Sequence, residues 1–243
     1  MNNIIHFENI SYGEHERQRV DVFIPEKPGN KSGFVLFIHG GGWCAGDKDA
    51  HYDDACYFCK QGFVAASMNY RFVSDDISVY DELDDIYDAL STIKRKCSEY
   101  GIHSEKVILS GVSAGAHLSM LYAYSRKTDA PVTPVAVCAY CPPVNCYASD
   151  FLYGITEEFD EWKYGILSNC CNAKITGKTH PEPISQKALK KISPCYYVDS
   201  ACVPTAVFHG RKDDLVPVLH VTDFMDALKR SGVKNDLLIY ENS

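Results

Sequence analysis

Residues 106–125 constrain this chain more than any other stretch. Val107, Ile108 and Leu109 form a short apolar run with the length and composition of a buried parallel strand. From Ala114 onward, helix formers and the apolar spacing of Leu118, Leu121 and Tyr122 predict a helix that starts at once. Between the two sits Gly111-Val112-Ser113-Ala114-Gly115. A strand that turns this sharply into a helix holds its corner residue in a strained conformation, and flanking glycines let neighbouring backbone pass close by. Ser113 is then expected to stand clear of the sheet, with the first N–H groups of the new helix facing whatever its hydroxyl attacks.

The rest of the chain supplies a frame for that corner. Strands are expected at 4–10, 19–24, 34–38, 63–68, 135–139, 205–208 and 237–240, with a polar turn at 26–33 containing Pro28 and Gly29. Helices are expected at 49–62, 79–97 and 218–231; in the second, Val79, Leu83, Ile86, Tyr87, Leu90 and Ile93 share one face at 3.6 residues per turn. Strands alternating with helices predict one α/β domain over 1–243, with a mostly parallel central sheet covered on both faces. Residues 142–203 break the alternation. They carry Trp162, several tyrosines, Pro181, Pro183 and Pro194, with a helical piece at 184–191. This insertion is either part of a lid over the sheet end or a structural excursion with no ligand contact.

Bulk properties remove several function classes. A formal net charge of −8 disfavours nucleic acid and anionic membrane as partners. No apolar run approaches a membrane span, and the first seven residues are too short and polar for a signal peptide. Eleven cysteines without a secretory signal are expected as free thiols in a reducing compartment, which points to the cytoplasm. Cys56-x-x-Cys59 and Cys138-x-x-Cys141 have no second pair at zinc-finger spacing, so packing is the expected role and no metal is assigned.

In a sheet of this kind ligands bind at the carboxyl ends of the strands. The strand at 34–38 is followed by His39-Gly40-Gly41-Gly42-Trp43, a loop whose backbone N–H groups no side chain shields. Acyl transfer needs such donors, because its tetrahedral intermediate carries a full negative charge on the former carbonyl oxygen. After the strand at 205–208 the chain reads His209-Gly210-Arg211-Lys212-Asp213-Asp214-Leu215-Val216-Pro217.

These motifs together resemble the α/β-hydrolases, in particular the hormone-sensitive-lipase-like esterases and small bacterial acetyl esterases, over residues 20–240. Gly46-Asp47-Lys48 and Asn69-Tyr70-Arg71 recur at similar places in the acetyl esterases. The resemblance implies Ser113 as nucleophile, the N–H groups of Gly41, Gly42 and Ala114 as oxyanion donors, Asp213 as the acid, and His39 and Trp43 as loop and binding residues. Asp214 is the neighbouring candidate, better suited to capping the following helix. Arg71 is expected to be structural, paired with Asp84 or Asp85. The implied reaction is hydrolysis of short acyl esters, acetyl first, on a small-molecule substrate with no metal or organic cofactor.

The resemblance also implies a histidine just after the last strand, and Ser243 is reached one or two residues before that position. His220 is expected to be a surface or helix histidine, and His117 to point along its own helix. A shortened form of a working esterase and a defective member both remain open. Two further readings accompany the esterase: an amidase like kynurenine formamidase, whose loop also reads His-Gly-Gly-x-Trp, and a non-catalytic binding protein on the same scaffold.

Overall fold

A computed structural model describes residues 3–27, 33–152, 156–179 and 182–242. The expected turn around Pro28 and Gly29, and Pro181 of the insertion, lie outside the described residues. Eight strands form one sheet: β1 (Ile4–Ser11), β2 (Arg19–Pro25), β3 (Gly33–Ile38), β4 (Val64–Met68), β5 (Lys106–Val112), β6 (Thr133–Tyr140), β7 (Thr205–Gly210) and β8 (Asn235–Tyr240). Their order is β1-β2-β4-β3-β5-β6-β7-β8. Strand β2 pairs antiparallel with β1 and β4, and every pairing from β4 through β8 is parallel.

Between the strands run α1 (Tyr52–Lys60), α2 (Val79–Glu99), α3 (Ala114–Ser125) and α7 (Leu219–Arg230). The amphipathic patterns explain which side each covers. Helix α1 buries Ala55 and Cys59 against Phe23, Val35, Phe37 and Ala65 on one face. The opposite face carries the larger core, where Leu83, Ile86 and Leu90 of α2, Leu118 and Leu121 of α3, and Phe224 and Leu228 of α7 meet Leu36, Leu109, Val137 and Val207. Ser78 and Asp81 close a capping box at the start of α2, satisfying N–H groups that the first turn leaves unpaired.

The α1 face is covered unevenly. Strand register places Tyr140, Phe208 and Leu238 side by side on it, and Tyr140 stacks on Phe208 with ring centroids 4.7 Å apart. No described helix lies over them, and Tyr140, Leu238 and Tyr240 are exposed. A cavity of about 300 Å³ opens there, lined by Phe37, His51, Phe58, Ile108, Cys138 and Tyr140 among others.

Among its described residues, the segment 142–203 holds three α-helices, α4 (Ser149–Leu152), α5 (Glu157–Cys171) and α6 (Pro183–Lys191), and a 3-10 turn at Pro194–Tyr197. Helix α5 starts from Thr156, whose hydroxyl accepts from the Phe159 N–H, and ends at Asn172 in the left-handed region. Its Tyr164, Leu167 and Cys170 join the larger core, and α5 packs on α2. Glu82 of α2 lies in that core fully buried, with both carboxylate oxygens lacking a hydrogen-bond partner among the described residues. Burial pushes its carboxyl well above the usual carboxylate range.

Candidate active site

Strand β3 has β4 on one side and β5 on the other, so the chain leaves it in one direction and returns on the other. That reversal is the switch point of an open parallel sheet, where the loops leaving adjacent strands part and open a crevice. The loops at this point are the triple glycine after β3 and the corner after β5.

Ser113 occupies the corner with φ 52° and ψ −117°, between the last residue of β5 and the first of α3. For a residue with a Cβ this conformation is strained, and it persists because both flanking peptides are fixed. The Ser113 N–H donates to Tyr140 O at 2.7 Å, and its carbonyl accepts from the His117 N–H at 2.9 Å. Of five non-glycine residues with positive φ among the described residues, Trp43, Ser113 and Cys141 stand at the carboxyl ends of β3, β5 and β6.

Close backbone approach locks the loop to the corner. A methyl group on Gly115 would lie 2.0 Å from Ile38 O and 2.4 Å from His39 O. One on Gly40 would lie 2.9 Å from Val112 O and 3.4 Å from Ser113 Cβ. The glycine loop thus runs directly beside Ser113, and Ala114, as the first residue of α3, has an N–H with no partner inside the helix. Gly41 and Gly42 continue the loop at φ 122° and 58°.

The flanking residues His39 and Trp43 point inward, only 1% and 4% exposed. His39 Nδ1 lies 2.7 Å from Gly40 O and its Nε2 3.3 Å from an Arg17 guanidinium nitrogen. The second contact needs a lone pair on Nε2, so Nδ1 carries the proton and donates to Gly40. The His39 ring stacks on Tyr70, whose hydroxyl donates to His39 O at 2.9 Å. Trp43 Nε1–H donates to His117 Nδ1 at 3.1 Å, and His117 Nε2 donates to Ile192 O at 2.6 Å. One neutral imidazole therefore ties the glycine loop, α3 and the insertion together. Burial lowers both histidines to about 4, so neither is charged near neutrality.

The aromatic ring that does reach the loop is Trp162 of α5, about half exposed. A methyl on Gly42 would meet it at 3.3 Å. Sequence reasoning named Trp162 only as part of the insertion; nothing local signals that α5 carries it over Gly42.

Asp213 lies in the turn after β7. Its Oδ1 accepts from the Leu215 and Val216 N–H groups at 3.0 and 2.9 Å, which fixes the carboxylate, while Oδ2 lies 3.8 Å from His209 Nε2. Register pairs Val112 with Tyr140 and Tyr140 with Phe208, so the ends of β5, β6 and β7 are level and Ser113 and Asp213 leave the same edge of the sheet. Asp214 is exposed, and α7 begins beyond it at Leu219 with Val218 in the cap position, so the expected helix cap is not made by Asp214.

His220 differs from its expectation as a surface residue. It belongs to α7 but is buried, and Nε2 accepts from the Val144 and Asn145 N–H groups at 2.9 and 3.1 Å. The side chain anchors the start of the insertion, a long-range role that periodicity around residue 220 cannot reveal. Arg71 makes its ion pair with Asp85, at 2.8 Å, while Asp84 pairs with Arg126. All eleven cysteines are free.

A family model matches residues 20–228 of this architecture, that of BD-FAE. The chain belongs to the BD-FAE family. As a BD-FAE protein it has the α/β-hydrolase fold, with the serine corner and glycine loop at the switch point. It is 26% identical, over 96% of its own length and 55% of the relative's, to a probable isoprenylcysteine alpha-carbonyl methylesterase of Oryza sativa subsp. japonica. It is 27% identical to a probable carboxylic ester hydrolase of Mycobacterium tuberculosis, over 93% of this chain and 52% of that one. The chain spans about half the length of these curated relatives. Among solved structures, a truncated carbohydrate esterase from gut microbiota shares the fold with a TM-score of 0.77 and 18% identity, covering 97% of this chain and 87% of that one. Thermogutta terrifontis esterase 2, phosphonylated by sarin, does so with 0.73 and 21%, covering 100% and 84%. No described helix of this BD-FAE protein is long and apolar enough to cross a membrane.

Proposed function

We propose that this protein is a serine carboxylesterase acting on short acyl esters, acetyl-type first, with a small-molecule ester as substrate and no metal or organic cofactor. The observation that carries the proposal is the strained Ser113 corner with Gly40 packed against it. The relatives named as a methylesterase and a carboxylic ester hydrolase support it. Ser113 Oγ attacks the ester carbonyl, and the N–H groups of Gly41, Gly42 and Ala114 receive the resulting oxyanion, each donor lowering the barrier by about 3 to 4 kcal/mol. The alcohol leaves with a proton, and water then releases the acid from the acyl-serine. Asp213 orients the base and stabilises its imidazolium. His39, His117, His209 and His220 are each buried against backbone partners, which sets them apart from that role. The base belongs at the turn after β8, because Tyr240 at its end pairs with Gly210 just before the Asp213 turn.

Residues 142–203 act as the lid in this proposal, with Trp162 bounding the acyl or alcohol subsite over Gly42. His39 and Trp43 contribute to binding by holding the loop in shape from beneath. Eleven free thiols favour a reducing compartment, and we assign the protein to the cytoplasm.

The test is hydrolysis of p-nitrophenyl acetate and butyrate, together with fluorophosphonate labelling located by peptide mass. Acetate turnover above butyrate, one label on Ser113, and loss of turnover by several orders of magnitude in Ser113→Ala support the assignment. Formate release from N-formylkynurenine without ester turnover would move it to the formamidase reading. Indifference to all three substrates with an unlabelled Ser113 would leave a binding protein.

A further inference from the structure

Beside the proposed acid lies a second constellation. Cys141 follows β6, His209 lies within β7, and Asp213 sits in the next turn; one ligand atom from each falls within 4.8 Å of the other two. We propose that Cys141 Sγ, one imidazole nitrogen of His209 and Oδ2 of Asp213 bind a thiophilic divalent cation, zinc by preference, and that the bound ion withdraws Asp213 from orienting a base. The inhibitory half of this proposal rests on the esterase assignment; the metal site does not.

Donor chemistry points to the class of ion. A sulfur, a nitrogen and a single carboxylate oxygen suit zinc or cobalt, whereas magnesium and calcium require oxygen shells. Tetrahedral bonds of about 2.0–2.3 Å set ligand atoms roughly 3.3–3.8 Å apart. The donor atoms of Cys141, His209 and Asp213 already lie within 4.8 Å of one another without any ion. Asp213 arrives oriented, because the Leu215 and Val216 N–H groups hold its other oxygen.

His209 supplies an independent observation. The residue is completely buried, and its Nε2 lies 2.6 Å from Val216 O, so that nitrogen carries the ring proton. Nδ1 is left as a buried lone pair with no hydrogen-bond partner among the described residues, a desolvated acceptor whose cost nothing in the fold offsets. Ligation through Nδ1 gives that lone pair the Lewis acid it lacks and leaves the Nε2 proton on Val216 O.

Charge also balances. A thiol must lose its proton to ligate the cation. On binding, that proton passes to solvent, and thiolate plus carboxylate then neutralise the two charges of the cation. The Asp213 side chain is 18% exposed, leaving a path for the ion and for water as fourth ligand.

The experiment titrates metal-free protein with zinc against a chromophoric chelator, and with cobalt(II) while recording the near-ultraviolet thiolate charge-transfer band. One equivalent captured from the chelator, a cobalt band of matching stoichiometry, and loss of both in Cys141→Ala are expected. Asp213→Asn, which keeps the side-chain shape, should weaken capture at least about tenfold. Because ten other cysteines could supply a thiolate, unchanged capture and an unchanged band in Cys141→Ala would overturn the site. Zinc should also slow p-nitrophenyl acetate hydrolysis in the parent, reversibly with chelator, and leave Cys141→Ala unaffected. Cys141-dependent capture without metal-free hydrolysis would sink the esterase assignment and leave the site standing. Hydrolysis without Cys141-dependent capture would do the reverse.

Discussion

Gly115 has no room for even one carbon, since a methyl there would stand 2.0 Å from the Ile38 carbonyl oxygen. Gly115→Ala should therefore separate α3 from the end of β3 at a cost of about 3 kcal/mol or more, in line with other overpacked cores. Chemical denaturation reads that loss; a midpoint equal to that of the parent would show that the helix and loop are not locked together. The buried histidines set a second test. His39 and His117 have folded values near 4, against 6.5 for an ordinary imidazole. Between those limits the unfolded chain takes up protons that the folded one refuses, so stability is full above pH 6.5 and falls as acid is added, by up to about 3 kcal/mol per ring. His117→Gln keeps an acceptor for Trp43 and a donor for Ile192 and should halve that acid slope in urea unfolding at about pH 7 and about pH 4.5. An unaltered slope would rule His117 out as a source. Ser113, Gly40, Gly41, Gly42 and Asp213 were legible in the sequence because each belongs to a short local pattern. The inward turn of Trp43, the anchoring by His220 and the meeting of Cys141 with His209 depend on contacts between distant segments, which no local pattern encodes.

At the level of elements, every strand was legible to within three residues at either end, since buried parallel strands are short apolar runs between turn signals. The extensions are at the ends, where pairing partners rather than composition decide, as in β6, which reaches Thr133 and Tyr140. Helix α5 was not legible. Gly165, a poor helix former, lies in its middle, and its buried positions, Lys163, Tyr164, Leu167, Cys170 and Cys171, include a lysine whose ammonium donates to Phe151 O. A face of that kind carries little apolar periodicity, and its burial comes from packing on α2. In the proposed chemistry this helix bears on substrate binding through Trp162. Under the proposed chemistry, Trp162→Ala removes about 1 kcal/mol or more of aromatic contact with a bound ester, so KM for aromatic esters should rise roughly tenfold with kcat little changed. A fall confined to kcat would instead make the tryptophan part of loop positioning.

Across the whole molecule, Asp85 ties together parts of the chain that local forces leave apart. Its side chain is fully buried, and it accepts from Gln18 Nε2 between β1 and β2 and from the Arg71 backbone and guanidinium beyond β4. Asp85→Ala leaves a partly buried guanidinium and an amide without their acceptor, and should cost about 3 to 5 kcal/mol in denaturant unfolding. A cost under 1 kcal/mol would reduce the pair to a surface contact. The covering of the two sheet faces differs just as sharply, with α2, α3 and α7 over one and, among the described helices, α1 alone over the other. The contact of Gly115 with the β3 carbonyls, and of Gly40 with the β5 end, has a consequence for how such a protein can diversify. The Ser113 corner and the glycine loop are cast as one piece, so a mutation that shifts either distorts both. The segment at 142–203 meets that casting where Trp162 lies over Gly42 and where Ile192 O accepts from His117; under the proposed chemistry, changes at Trp162 alter what is accepted while the corner stays fixed.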